Sequence, residues 1–296
     1  FNYNTMKKSL LLYTLLPFFN FFQSCNIINP KEEIPTYIKI DSVQTYISDF
    51  AKHGSVSHAI KDVWVYADNN LLGAFEVPAL IPYLGNKTAN ISIVPGIWAN
   101  GISINRFTYK FYTQDTFKLE PSPAKQVSKT PKFTYRDNLN FHLLEDFEQG
   151  NNFKNFTSDP SFLSDTAISI NTNSAEVKDG VASGLIYMNS TNPNSQSITS
   201  NQYYFPTTSD AYLELDYKST CPFVVRLRFQ TEGGSYIYTD IIGINEKSNW
   251  NKIYLNITEY TTKYQNRPFE FMIQSKLPAN ASEAKIWIDN FKIVSF

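Results

Sequence analysis

The chain has 296 residues, with 26 basic side chains against 27 acidic ones and a formal net charge of −1. A balance this even provides no field to gather nucleic acid, which excludes that class of partner. The length suits two domains, and 19 Tyr with 23 Phe favour strands.

Lys7 and Lys8 precede a largely apolar run from Ser9 to Phe22. A basic start and an apolar core of this length predict a signal peptide; a membrane span needs about 20 apolar residues. The run closes on Phe22-Gln23-Ser24-Cys25, with a small residue ahead of the cysteine. This stretch resembles the bacterial lipobox. The resemblance implies a leader over residues 1–25, lipid on Cys25 and a chain held at a membrane; a cleaved leader with an unmodified cysteine is the alternative. Residues 26–35, which include Pro30 and Pro35, read as a linker. Its Lys31-Glu32-Glu33 cluster resembles, at a displaced position, the acidic signal of Bacteroidota outer-membrane lipoproteins. That implies the outer membrane, on its periplasmic or cell-surface face; a merely solvated linker is the other reading. With Cys25 lipidated, the one other cysteine, Cys221, has no partner. The domains must then be held by their cores, and Cys221 is expected to be a small buried side chain.

Residues 36–133 predict an immunoglobulin-like β-sandwich. Tyr37–Asp41 alternates as an opening strand. Val63–Ala67, Asp68-Asn69-Asn70 and Leu71–Phe75 read as strand, turn and strand. Ile91–Val94 reads as a strand closed by a Pro95-Gly96 turn, and Arg106–Tyr112 alternates again. Pro121, Pro123 and Pro131 punctuate Glu120–Phe133, which reads as a stiff, extended spacer leading to a short junction at 134–139.

Residues 140–296 carry the clearest alternation. Leu213, Leu215 and Tyr217 oppose Tyr212, Glu214 and Asp216; Val225, Leu227 and Phe229 oppose Val224, Arg226 and Arg228. Ile253, Leu255 and Ile257 oppose Lys252, Tyr254 and Asn256, and Phe269, Phe271 and Ile273 oppose Glu270, Met272 and Gln274. Strands with one apolar face predict an antiparallel sandwich. The segment opens on Asp146-Phe147-Glu148, carries Trp250-Asn251-Lys252-Ile253-Tyr254-Leu255, and closes on Trp287-Ile288-Asp289-Asn290-Phe291-Lys292-Ile293. In that order these resemble the jelly-roll domains of carbohydrate-binding modules and galactose-binding-like folds. The resemblance implies adjacent first and last strands and a structural calcium ion with Glu148 and Asp289 as ligands. Two acids at strand ends that simply meet water are the alternative.

The polar row Tyr212, Glu214, Asp216, Arg226, Arg228 and Tyr254, with Asn256, is the candidate ligand-binding face. Aromatic faces beside planar donors and acceptors suit a glycan, while cross-strand Arg–carboxylate pairs on a solvated sheet explain the same pattern. Trp64, Trp98, Trp250 and Trp287 are either sugar platforms or core residues. His53, His58 and His142 form no metal or catalytic motif, and no nucleophile elbow, zinc helix or phosphate loop occurs. The chain therefore reads as all-β, two sandwiches without catalysis. Its partners are a membrane through lipid, and either a glycan or an outer-membrane protein assembly.

Overall fold

The computed structural model describes residues 32–47, 49–206 and 209–296. The predicted leader and Cys25 lie outside these residues. Hydrophobic alternation organises the rest into two β-sandwich units, each closed over its own core.

The first unit contains β1 (Thr36–Ile40), β2 (Gln44–Thr45), β3 (Asp62–Ala67), β4 (Asn70–Glu76) and β5 (Ala79–Tyr83). It continues with β6 (Ala89–Trp98), β7 (Arg106–Thr108), β8 (Asp115–Leu119), β9 (Gln126–Ser128) and β10 (Lys132–Phe133). Its sheets run β5-β1-β9, β10-β2 and β4-β3-β6-β7, with β8 also on β6. The predicted hairpin forms from β3 and β4, with Asp68 and Asn69 at φ 46° and 68°. Short polar side chains tolerate this left-handed backbone, which matches the twist of the flanking strands.

Two sequence expectations change. Pro95-Gly96 does not turn but lies inside the ten-residue β6. A Cβ on Gly96 would run into the Asp62 carboxylate, so the glycine leaves room for that buried side chain. Glu120–Phe133 is no bare spacer either. It supplies β9 and β10, which pair in parallel with β1 and β2 and complete their sheets.

The second unit contains β11 (Asn140–Glu145), β12 (Phe153–Asn155), β13 (Ser169–Asn171), β14 (Ser183–Asn189), β15 (Asn194–Thr199) and β16 (Ala211–Ser219). Then come β17 (Phe223–Gln230), β18 (Tyr236–Ile244), β19 (Lys247–Asn256), β20 (Phe269–Lys276) and β21 (Glu283–Ser295). One sheet is β13-β14-β21-β16-β19 with β11 on β21; the other is β12-β15-β20-β17-β18. First and last strands thus lie together, as expected, and Leu213, Leu215, Val225, Leu227, Phe271 and Ile273 share one core. Cys221 is buried and, among the described residues, a free thiol, pushed up in pKa by burial. Two short helices escaped the sequence reading, α1 (Phe50–His53) and α2 (Thr258–Lys263), both too brief for a helical period to register.

The two units share a wall. Tyr254 and Val294 of the second belong to the buried cluster of the first, and Tyr212, Phe141 and Phe296 pack against it. Asn100 N–H donates to the Tyr254 carbonyl at 2.8 Å, and Asn256 N–H donates to Asn100 Oδ1 at 2.9 Å.

Candidate functional site

The predicted polar row divides between the two sheets. Tyr212, Glu214 and Asp216 on β16 and Tyr254 on β19 stand side by side, with Glu214 opposite Tyr254 and Asp216 opposite Lys252. Their face turns to the first domain and not to water. Glu214 and Asp216 have no exposed surface, and Tyr254 has 1 %. Glu214 accepts hydrogen bonds from Tyr109 and Tyr135 and pairs with Lys252 Nζ at 3.1 Å. Asp216 accepts from Ser57 Oγ at 2.7 Å and from Asn290 Nδ2 at 3.1 Å. Lys292 Nζ donates to the His53 carbonyl at 2.6 Å and the Ser55 carbonyl at 3.3 Å.

Burial and partners oppose one another in this wall. Burial pushes the Glu214 carboxyl up, but Lys252, Lys292 and the two phenols bring it below its ordinary value. Burial acts against the Lys252 ammonium too, and Asp216 and Glu214 overcome it and raise the pKa. Lys292 is left short of counter-charge: burial, aided by Lys252, lowers its pKa to about 7. A charged group in so dry a place persists only when paired.

Arg226 and Arg228 lie on β17, in the other sheet. Residues 156–165 cross that sheet's outer face, where Phe156, Asp159 and Phe162 are buried. Arg228 makes a two-point contact with Glu270 at 2.6 and 2.9 Å and stacks 4.4 Å from the Phe156 ring. Arg226 joins Asp240, Asp159 and Gln274. Both arginines are thus engaged with their own chain.

Glu148 and Asp289 do come together. They line one cavity of about 320 Å3 with Asp146, Asp179, Asn290 and residues 54–56. Each is turned to the loop at 178–182. Glu148 Oε1 accepts from Val181 N–H at 2.7 Å and Ala182 N–H at 3.0 Å; Asp289 Oδ2 accepts from Lys178 and Asp179 N–H, both at 3.2 Å. Burial pushes the Asp289 carboxyl up to about 7 against those amides. Calcium takes six to eight oxygens, and among the described residues no group of three or more His, Cys, Asp or Glu is arranged to hold an ion. A cation here would compete with the loop amides for Glu148 Oε1 and Asp289 Oδ2.

A second cavity, of about 530 Å3, lies between the domains. The first domain contributes Ala59, Lys61, Trp98 and the 100–102 loop; the second contributes Tyr217, residues 242–245, Lys247 and Asn251–Tyr254. Local structure explains its shape. Asn100 takes φ 56° and Gly101 φ 67°, turning the chain sharply after β6 and setting Trp98 in the wall. β19 is the edge of its sheet, so beyond the bridge at Tyr254 its outer side is unpaired. The Trp98 indole N–H is buried without an acceptor among the described residues. Lys61 Nζ lies 5.6 Å from the centre of the Trp98 ring. Asn100, Asn245 and Asn251 add planar amides.

Of the six predicted ligand residues only Tyr254 reaches this cleft. Trp98 is one of the four tryptophans that the sequence leaves open between sugar platform and core, and Asn100-Gly101 after it is a turn signal. Lys61, Asn245, Lys247 and Asn251 carry no sequence pattern, because two separate domains bring them together.

No protein-family model matches the chain, and no curated protein matches it in sequence. Solved structures similar in fold include a carbohydrate-binding module of the β-sandwich superfamily, at 14% identity over 78% of this chain and 84% of that one, TM-score 0.38. A family 22 carbohydrate-binding module of Clostridium thermocellum is 11% identical over 53% of this chain and 96% of that one, TM-score 0.35. A family 11 module of the same organism, in complex with a β-1,3-1,4-mixed-linked tetrasaccharide, is 13% identical over 52% and 94%, TM-score 0.35. At such scores these likenesses add nothing to the geometry of the cleft.

Proposed function

We propose that this protein is a non-catalytic, lipid-anchored outer-membrane module that binds glycan in the cleft between its two domains. The observation that carries the reading is the lining of the 530 Å3 cavity: an indole and three asparagine amides drawn from both domains. Small-molecule sites commonly measure about 300–1,000 Å3 and combine an aromatic surface with a few convergent polar groups. Sugars present apolar ring faces and hydroxyls that both donate and accept, which aromatic rings and amides match. The anchor rests on the Met6–Cys25 sequence pattern alone.

Glycan-array binding by the purified full-length protein tests the ligand class. Binding that weakens in Trp98→Ala and Asn251→Ala, with circular dichroism unchanged, supports the cleft. An array without hits, or hits indifferent to both variants, rejects it. Capture of an outer-membrane β-barrel in place of glycan would move the function to a protein partner. Radiolabelled palmitate incorporated by the wild type and absent from Cys25→Ser tests the anchor.

A further inference from the structure

We propose that the interdomain cleft selects acidic saccharides, bearing carboxylate or sulfate, through Lys61 and Lys247 at its rim. The inference rests on the glycan reading above and adds the charge of the ligand.

Three lysines and no carboxylate line the cleft. Composition does not explain this, since acids and bases nearly balance along the chain, 27 against 26. The charges are instead sorted by place. Residues 54–61 run between two cavities: Gly54, Ser55 and Val56 border the one with Asp146, Glu148, Asp179 and Asp289, while Ala59 and Lys61 border the one with the lysines. An anion is therefore disfavoured in the first and favoured in the second.

The lysines of the cleft play different parts. Lys252 is buried in its floor, and its charge is taken up by Glu214 at 3.1 Å and Asp216 at 3.8 Å. Lys61 and Lys247 are exposed and free to meet a ligand, and neither has an ion pair among the described residues. Glu246, beside Lys247, is exposed and does not line the cavity. Lys61 stands over the Trp98 ring, so a sugar stacked nearby would bring its acidic group within reach of that ammonium. The amide of Asn245 remains for the hydroxyls, beside Asn251, whose Nδ2 also reaches the Lys252 carbonyl at 3.4 Å. An acid-bearing sugar uses every kind of group in the lining, whereas a neutral one leaves two ammonium groups idle.

The test uses the full-length protein on matched ligand pairs, trigalacturonate against galactotriose and sulfated against unsulfated lactose, beside a panel of neutral oligosaccharides. The expected result is binding of the acidic member about tenfold tighter, the equivalent of one charge-assisted hydrogen bond. That preference should shrink as salt rises from 20 to 300 mM, since exposed charges are screened over about 10 Å or less. It should also disappear in Lys61→Ala/Lys247→Ala, whose two exposed positions leave the fold intact. Equal binding of both members, binding of neutral glycans only, or a preference that survives the double variant overturns the charge inference while the glycan reading stands. No binding by any saccharide overturns both.

Discussion

Replacing Glu214 with glutamine tests how the two domains are held together. The side chain is almost isosteric, so the change removes charge while keeping one acceptor oxygen for the phenols of Tyr109 and Tyr135. What remains is Lys252, buried, with Asp216 at 3.8 Å as its surviving partner. Breaking a buried pair from one side costs roughly 3–5 kcal/mol. Asp216 retains part of the attraction, which places the expected loss near the lower end, at about 3 kcal/mol against a total of roughly 5–15 kcal/mol for a folded protein. Lys292 gives the loss a pH signature. Its pKa is about 7, so at pH 6 it is charged and the variant deprives it of Glu214 as well; at pH 9 it is neutral and loses nothing. The measurement is urea unfolding followed by tryptophan fluorescence, which reports on Trp64 and Trp98 in one domain and Trp250 and Trp287 in the other. A loss below about 1 kcal/mol, or one no larger at pH 6 than at pH 9, would refute the view that this wall depends on compensated charge.

Three further outcomes follow from the same groups. Lys292 keeps its proton up to about pH 7 when folded and to its ordinary value of 10.5 when unfolded, so the unfolded chain binds more protons in between and stability rises with pH across that window. Lys292→Met should flatten that rise, and a variant whose slope matches the wild type would contradict the burial. Asp289 has the opposite sign: its folded pKa of about 7 lies above the ordinary 3.8, so stability falls from about pH 4 to pH 7, and Asp289→Asn should remove that fall in the same unfolding series. Calcium added to chelator-treated protein should leave the melting temperature unchanged, because one oxygen each of Glu148 and Asp289 already serves loop amides; a rise of several degrees would show that the amides yield to a cation.

Period-two alternation made the strands legible because it depends only on which side chains share a face. β16, β17, β19 and β20 all follow it; the pairing of β11 with β21 is instead what the resemblance to jelly-roll domains implies. The meaning of the polar face was not legible. Glu214 and Asp216 carry the pattern of a solvated sheet and yet have no exposed surface. Alternation reports that a face is polar, and whether water or another domain covers it depends on contacts between residues more than a hundred positions apart, as in Tyr109 with Glu214. The same holds for Arg226 and Arg228, whose cover, residues 156–165, has no regular periodicity to announce it. Pro95-Gly96 misled for a local reason: the pair is a turn signal, and only the neighbouring Asp62 explains the glycine.

The wall and the cleft depend on each other. A cleft formed by two domains keeps its shape only while those domains keep one orientation, and an apolar contact alone permits sliding at little cost because it has no direction. This wall adds directional groups: two phenols on one carboxylate, a lysine donating to the carbonyls of residues 53 and 55, and Asn100 joined at both its N–H and its Oδ1 to β19. A shift of register by one residue would leave buried charges unpaired, each at a cost of roughly 3–5 kcal/mol, a large part of a stability margin of about 5–15 kcal/mol. Asn100 belongs to both features, since it fastens the seam and lines the cleft. The buried charges thus act less as a source of stability than as the means by which one docking geometry, and with it the spacing between Trp98 and β19, is selected over its neighbours.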